Sequence, residues 1–360
     1  MSGVAGQRRT HLLDAHKRLG ARIVEFGGWD MPLQYSGVVA EHNAVREGAG
    51  VFDVSHLGKL RVTSAPGTAA LQHAVTADIE DLEPGQASYA LVLTDDAGAV
   101  DDIFIYRVAE HEWLVVPNAA NVGAVAQMID ASGSEVVDEW DRWAILAIQG
   151  PDSFDVFEKV FPGSGATDLK LHRFSTIDVL GAEGMVARTG YTGERGFELY
   201  APASVAEQAF ERILDAGATP VGLGARDTLR LEMGYALYGH ELTRDINPLE
   251  ASLGWAVKWG PDFRGKEALR AVKETGAARR LFGIVCTGRG VPRQGCPVFD
   301  GEERIGELTS GNFSPTLGTG IGLALGPREL TPEIGQSVAV EARGRRIEGD
   351  IVRPPFVKRA

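Results

Sequence analysis

Residues 89–117 read YALVLTDDAGAVDDIFIYRVAEHEWLVVP. Three runs rich in β-branched and aromatic residues, 89–94, 103–107 and 113–117, are separated by short polar turns. Such residues pack well on a pleated surface, and the spacing predicts consecutive antiparallel strands. One detail does not fit a plain buried strand. Two adjacent acids, Asp101 and Asp102, stand at the mouth of the run Ile103-Phe104-Ile105-Tyr106. Acids are poor strand residues. The pair reads either as a solvated turn or as a carboxylate held at the edge of a pocket. Side chains alternate along a strand, so Asp102 shares a face with Phe104 and Asp101 points the other way.

Outward from this segment, strand and helix patterns mix as far as residue 260. Trp143–Gln149 (WAILAIQ) reads as a strand, as do 281–286 and 337–342. Helices are expected over 119–131, 152–161 and Ser204–Ala216. In the last, Ser204 with Glu207 is a capping-box pattern, Phe210, Ile213 and Leu214 form an apolar face, and Gly217 is a stop. From 280 onward short strand runs alternate with Gly-rich turns, with hardly a helical period. The expectation is an α+β chain ending in an all-β domain, with Gly260-Pro261-Asp262 as a boundary.

The 360 residues are 44% hydrophobic and exceed the size at which one core usually stops growing. A net charge of −13 disfavours nucleic acid and anionic membrane as partners, because phosphate contact needs clustered Lys and Arg. MSGVAGQRRT, at the start, lacks the apolar core of a secretory signal, and no apolar run is long enough to span a bilayer. The two cysteines, Cys286 and Cys296, fit a reduced cytoplasmic protein as well as a bridged one, and are too few for a four-Cys zinc site. The eight histidines are scattered, with no HExxH and no Cys/His cluster, so no metal is expected. Neither GxSxG nor Walker A occurs, nor GxGxxG after a strand, so no nucleotide is expected either.

What remains is a set of Gly-rich stretches carrying single charged residues. They are FGGWDMPLQY (26–35), VFDVSHLG (51–58), GYTGERGFE (190–198), GLGARDTLRLE (222–232) and SGNFSPTLG (310–318). Glycine permits close backbone approach, and a lone carboxylate beside such a turn suits a ligand with paired N–H donors. Glu198 is an acid inside a strand pattern, and alternation alone also allows it to face solvent. Arg226 and Arg230 lie four apart and share a helix face, where a salt-bridged structural role with Asp227 is the simpler reading.

These stretches, with EHNAVREG, VVPNAAN, AIQGP, YGHEL and a closing PPFVKR, stand in an order that resembles the T-protein family of the glycine cleavage system, the folate-dependent aminomethyltransferases. The likeness runs from Leu12 to about Val357. It implies a three-domain cloverleaf around a central folate channel, with a discontinuous first domain (1–52 plus 142–260), an inserted second (53–141) and a barrel-like third (261–360). It also implies a reaction in which the lipoyl arm of H-protein carries an aminomethyl group whose methylene passes to tetrahydrofolate. By matching position, Asp102 is the catalytic acid. Glu198, Arg226, Tyr89, Phe104 and Val116 meet the folate, Arg230 supports Arg226, Asp101 either serves the turn as a cap or tunes Asp102 by like-charge repulsion, and Lys358 meets the glutamate tail. Lys258, Arg264, Lys266 and Arg270 are a candidate H-protein patch or a solvated helix face. Two other readings share the fold: a folate-dependent demethylase of small methylated amines or sulfonium compounds, and a non-catalytic folate-binding protein of iron–sulfur assembly. The Lys-Gly-Cys-x-Gly-Gln-Glu stretch of the latter is missing.

Overall fold

The computed structural model describes residues 7–64 and 68–358. The fold is α+β, and the chain forms two compact units. One is drawn from Met1–Ala70, Ile79–Ser88 and Ile103–Arg226, the other from Leu71–Asp78, Tyr89–Asp102 and Asp227–Ala360.

The first unit is built on a six-stranded sheet, in the order Phe174–Val179, Ala182–Ala187, Gly196–Pro202, Trp143–Gln149, Gly50–Asp53, Thr219–Pro220. The two central strands are apolar along almost their whole length, as a strand covered on both faces must be. Helices Ser153–Val160 and Ala206–Asp215 bury Val156, Phe157, Phe210 and Ile213 in its main core. The second of these helices begins later than its sequence signature. Val205 is the N-cap and makes no side-chain cap bond, so the Ser204/Glu207 capping box does not form. Glu207 turns outward to Arg18 instead.

The strands expected over 89–117 are Gln86–Leu93, Ala99–Arg107 and Glu112–Val116, neighbours in that order in a five-stranded sheet. Asp101 and Asp102 lie within the middle strand, which rules out the solvated turn. The turn is earlier, at Gly98, where a Cβ would sit 1.8 Å from the carbonyl oxygen of Arg244. In the second unit, the chain from Arg279 to Val352 closes a six-stranded barrel, in the order Arg279–Cys286, Thr319–Pro327, Glu303–Ser314, Pro297–Asp300, Ser337–Ala342, Arg345–Val352. Phe282, Ile284, Val298, Leu308, Val340 and Ile351 fill its interior. Its strands include the runs expected at 281–286 and 337–342. No helix among the described residues is long and apolar enough to cross a membrane.

A polar network is buried in the first unit. Asp53 Oδ2 accepts from Thr10 Oγ1 at 2.6 Å and from His16 Nε2 at 2.8 Å, while Oδ1 accepts from the Ser55 amide at 2.9 Å. On its far side His16 Nδ1 meets the Tyr35 hydroxyl at 2.9 Å. Burial pushes the Tyr35 phenol up, and the charges of Asp53 and Glu41 add to this, so Tyr35 keeps its proton. Burial alone would raise Asp53. The hydrogen bond and charge of His16, with Ser55 and Thr10, outweigh it and hold the carboxyl well below the usual carboxylate range. A carboxyl held low in the fold contributes its full stability above its unfolded value of about 4, and that contribution is lost progressively as pH falls from there through the lower folded value. Asp53→Asn is expected to cost about 3–5 kcal/mol in urea denaturation at pH 7, with the gap to wild type closing below about pH 4.

Candidate active site

In the first unit, Glu198 sits in the middle of Gly196–Pro202 with Ala147 and Ala187 opposite it on the flanking strands. Two small neighbours leave room for a carboxylate. Glu198 is only 9% exposed, which overturns the solvent-facing reading. Its Oε2 accepts from Thr189 Oγ1 at 2.5 Å. Burial pushes the carboxyl up, opposed by the Thr189 bond, by the charge of Arg226 and by Tyr106. Tyr106 and Tyr200 meet hydroxyl to hydroxyl at 3.1 Å, and burial keeps both phenols protonated.

The Gly-rich stretches explain how these groups are held. The side chain of Gln149 donates to the carbonyls of Thr189 and Phe197, and its oxygen accepts from Thr192 Oγ1 at 2.9 Å. The GYTGERGFE loop wraps so closely over it that a Cβ on Gly190 would sit 2.0 Å from Gln149 Oε1. Arg226 lies on the helix Leu223–Glu232, whose entry is fixed from below. The carboxylate of Glu41 accepts from the amides of Tyr35, Gly37 and Gly222 at 2.6, 2.9 and 2.8 Å. Gly222 packs directly on the Leu33 carbonyl, with no space for a side chain. The Arg226 guanidinium then lies 4.6 Å from the centre of the Tyr191 ring. Phe104 and Val116 are directly opposite on paired strands, and Phe104 meets His172 edge-on at 5.6 Å. His172 takes a positive φ of 61°, and burial pushes its imidazole down.

In the second unit, Asp101 is wholly buried, while Asp102 is half-buried on the alternate face, in the phase expected from strand geometry. Tyr89 donates its hydroxyl to Asp102 Oδ2 at 3.1 Å and stacks on Trp255 at 5.2 Å between centroids. Trp255 is 61% exposed. Tyr238 stands near the pair as well. Burial raises its phenol first, and Asp101 and Asp102 raise it further against Arg244. Tyr238 lies inside YGHEL, and Tyr191 inside GYTGERGFE, two of the stretches singled out from the sequence. Trp255 lies outside those stretches and carries no local pattern of its own.

Arg230 is a different case from Arg226. It is buried, with Nε on Asp227 at 2.9 Å, Nη1 on Glu241 at 3.0 Å and on the Tyr235 carbonyl at 3.1 Å, and Nη2 on Ser310 at 2.8 Å. All three of its nitrogens are engaged by protein groups. Lys358 is exposed near the end of the chain. Within the expected basic patch, Arg264 faces Asp95, Lys266 donates to the Pro261 carbonyl and Arg270 pairs with Glu267, as on a solvated helix face. No three His, Cys, Asp or Glu side chains converge as a metal site among the described residues.

Comparison with known proteins agrees with this architecture. Residues 12–260 match the GCVT N-terminal domain and residues 279–358 the glycine cleavage T-protein C-terminal barrel domain. The chain belongs to the glycine cleavage T-protein family, and by that membership is an aminomethyltransferase. The aminomethyltransferase of Halothermothrix orenii is 42% identical over 359 residues, spanning 97% of this chain and 100% of its own. That of Mycobacterium tuberculosis is 46% identical over 354 residues and spans 96% of each. The crystal structure of glycine cleavage system aminomethyltransferase T from Bartonella henselae has a TM-score of 0.91 at 32% identity, covering 98% of both chains.

Removing Arg230 leaves Glu241 buried without its cation. Arg230→Met is expected to cost about 3–5 kcal/mol of stability in denaturant titration, and Arg230→Met with Glu241→Leu to recover much of it.

Proposed function

We propose that the protein carries the aminomethyl transfer of the glycine cleavage system. The methylene on the lipoyl arm of H-protein passes to tetrahydrofolate, giving 5,10-methylenetetrahydrofolate, ammonia and dihydrolipoyl H-protein. We propose for it the same three-part organisation, 1–52 with 142–260, 53–141 and 261–360, and a place in the cytoplasm. The observation that carries the reading is Glu198, a carboxylate buried in a sheet and facing the charge of Arg226. A pterin presents a paired N–H edge, and a carboxylate accepts such a pair bidentately. That contact satisfies a group which burial otherwise penalises. Phe104 and Val116 supply apolar and aromatic walls in the first unit and Tyr89 an aromatic one in the second, where Arg230 holds Asp227. Lys358 and its charge suit a polyanionic glutamate tail.

Asp102 is the proposed catalytic group. Transfer requires a folate nitrogen close to the S–CH2–N carbon, which is catalysis by proximity. A carboxylate beside the reacting amine holds it in place and stabilises the cationic, iminium-like character that develops. Tyr89 orients Asp102 by donating to Oδ2. Asp101, buried behind it, tunes the pair by like-charge repulsion.

Two variants separate binding from chemistry. Asp102→Asn is expected to lower the rate of ammonia release from aminomethylated H-protein about 10²–10⁴-fold while folate still binds. Glu198→Ala is expected to weaken folate binding mainly, read by equilibrium titration with a reduced folate. Turnover of a small methylated donor, with no ammonia from aminomethylated H-protein, would sink the reading.

A further inference from the structure

The stretch YGHEL holds a residue with no part in the assignments above. In the second unit, His240 stands in a turn against the barrel strand Glu303–Ser314. That strand carries a β-bulge. Leu308 pairs with Ala324 and Ser310 with Leu323, so Thr309 between them has no partner in the ladder. Bulges re-aim side chains and interrupt the ladder, which frees backbone groups for other partners. Here the Thr309 carbonyl accepts from His240 Nδ1 at 2.9 Å. A carbonyl cannot donate, so Nδ1 carries the proton and Nε2 of the neutral ring keeps its lone pair.

Beside the bulge lies an open cavity of about 270 Å³ to which His240, Arg279, Gln294 and Glu307 contribute. Two of its apolar lining residues, Ile246 and Leu325, belong to one packed cluster and form a floor. Acceptors gather at one end. Gln294 spends Nε2 on the Gly239 carbonyl at 3.3 Å, which leaves Oε1. Glu307 Oε2 accepts from the exposed Arg304 at 2.6 Å, which again leaves Oε1. With His240 Nε2 these make three acceptors on one space. Arg279 supplies the donor. Its Nε and Nη2 lie on the two oxygens of Glu250 at 2.9 and 2.8 Å, and Nη1 has no partner among the described residues. The barrel register sets the spacing. Glu307 is opposite Leu325, Leu325 is opposite Leu281, and Arg279 is two residues from Leu281. About 12 Å thus separates the backbones of Glu307 and Arg279, close enough for one small ligand to meet both side chains.

Glu250 offsets Arg279 and Arg304 offsets Glu307, so the site is neutral as a whole but has a negative and a positive end. Such a site suits a dipolar ligand over an ion of either sign. An ammonium has three N–H donors for the three acceptors, and a carboxylate accepts from a guanidinium. We propose that this cavity binds a free α-amino acid with an apolar side chain. Its ammonium lies among Glu307, His240 and Gln294, its carboxylate on Arg279 Nη1 and its side chain over Ile246 and Leu325. The site is made by the second unit alone and is independent of the folate reading.

The test uses the full chain carrying ¹³C-methyl isoleucine, titrated with L-leucine. A ligand of this size binds at about millimolar Kd, which methyl NMR can follow. The Ile246 methyl resonance, identified by its absence in Ile246→Val, is expected to shift and saturate. N-acetyl-L-leucine lacks the ammonium and L-leucinamide lacks the carboxylate. Each is expected to bind about tenfold more weakly, as is L-leucine to Glu307→Gln, where one charge-assisted hydrogen bond is lost. An Ile246 methyl unmoved by L-leucine up to its solubility limit would overturn the inference. So would L-leucinamide binding as well as L-leucine, which would make the site one for amines or peptide N-termini. Equal binding of N-acetyl-L-leucine, or an unchanged Kd in Glu307→Gln, would reduce it to an apolar contact and overturn it too. If Ile246→Val does not fold, calorimetric titration of wild type and Glu307→Gln with the same three compounds decides.

Discussion

A carboxylate in the middle of a sheet strand has to be compensated, and much of the first unit is arranged around that demand. Glu198 is walled by alanines, receives the Thr189 hydroxyl and feels the charge of Arg226. Each of those groups needs its own support. Thr189 is placed by a loop wound over Gln149, and Arg226 by a helix whose entry is pinned through the Gly222 amide to Glu41. Burying one charge therefore fixes two loops and a helix start. This is why the stretches that looked peculiar as sequence are the ones packed to backbone contact in the fold.

The second unit answers a similar demand in another way. Arg230 and Glu241 are buried against each other, and Asp227, part-exposed, accepts from Arg230 and Asn312. Asp101 and Asp102 are adjacent in sequence yet differ in exposure, because the strand turns one inward and leaves the other accessible. Environments that differ across one peptide bond let a pair of identical side chains take separate tasks.

Much of this was legible in the residues themselves. The strands around 103–107, 143–149 and 337–342 were readable because apolar runs bounded by turns have few other interpretations, and the all-β ending because its turns are dense in glycine. Alternation placed Asp102 and Phe104 correctly on one side of their strand. The capping box at Ser204 misled because the chain makes a turn through Val205 first, a tertiary choice that local pattern does not encode. Glu198 could not be placed by alternation, since a strand buried on both faces hides its polar residue on either. Trp255 and Tyr238 meet Tyr89 and the aspartate pair only through folding together of segments distant in sequence, and the order of the landmarks carried the family where single residues could not.

The barrel has one property of a different kind. Its first strand, Arg279–Cys286, pairs with Thr319–Pro327 and Arg345–Val352, neither of which follows it directly in the chain. During synthesis that strand emerges with both edges bare and must wait for partners still inside the ribosome. Closure pays the entropy of a long loop before any ladder forms. The last strand to be made is therefore the one that seals the barrel, so a chain truncated only slightly short of Val352 would leave two open edges rather than a smaller version of the same domain.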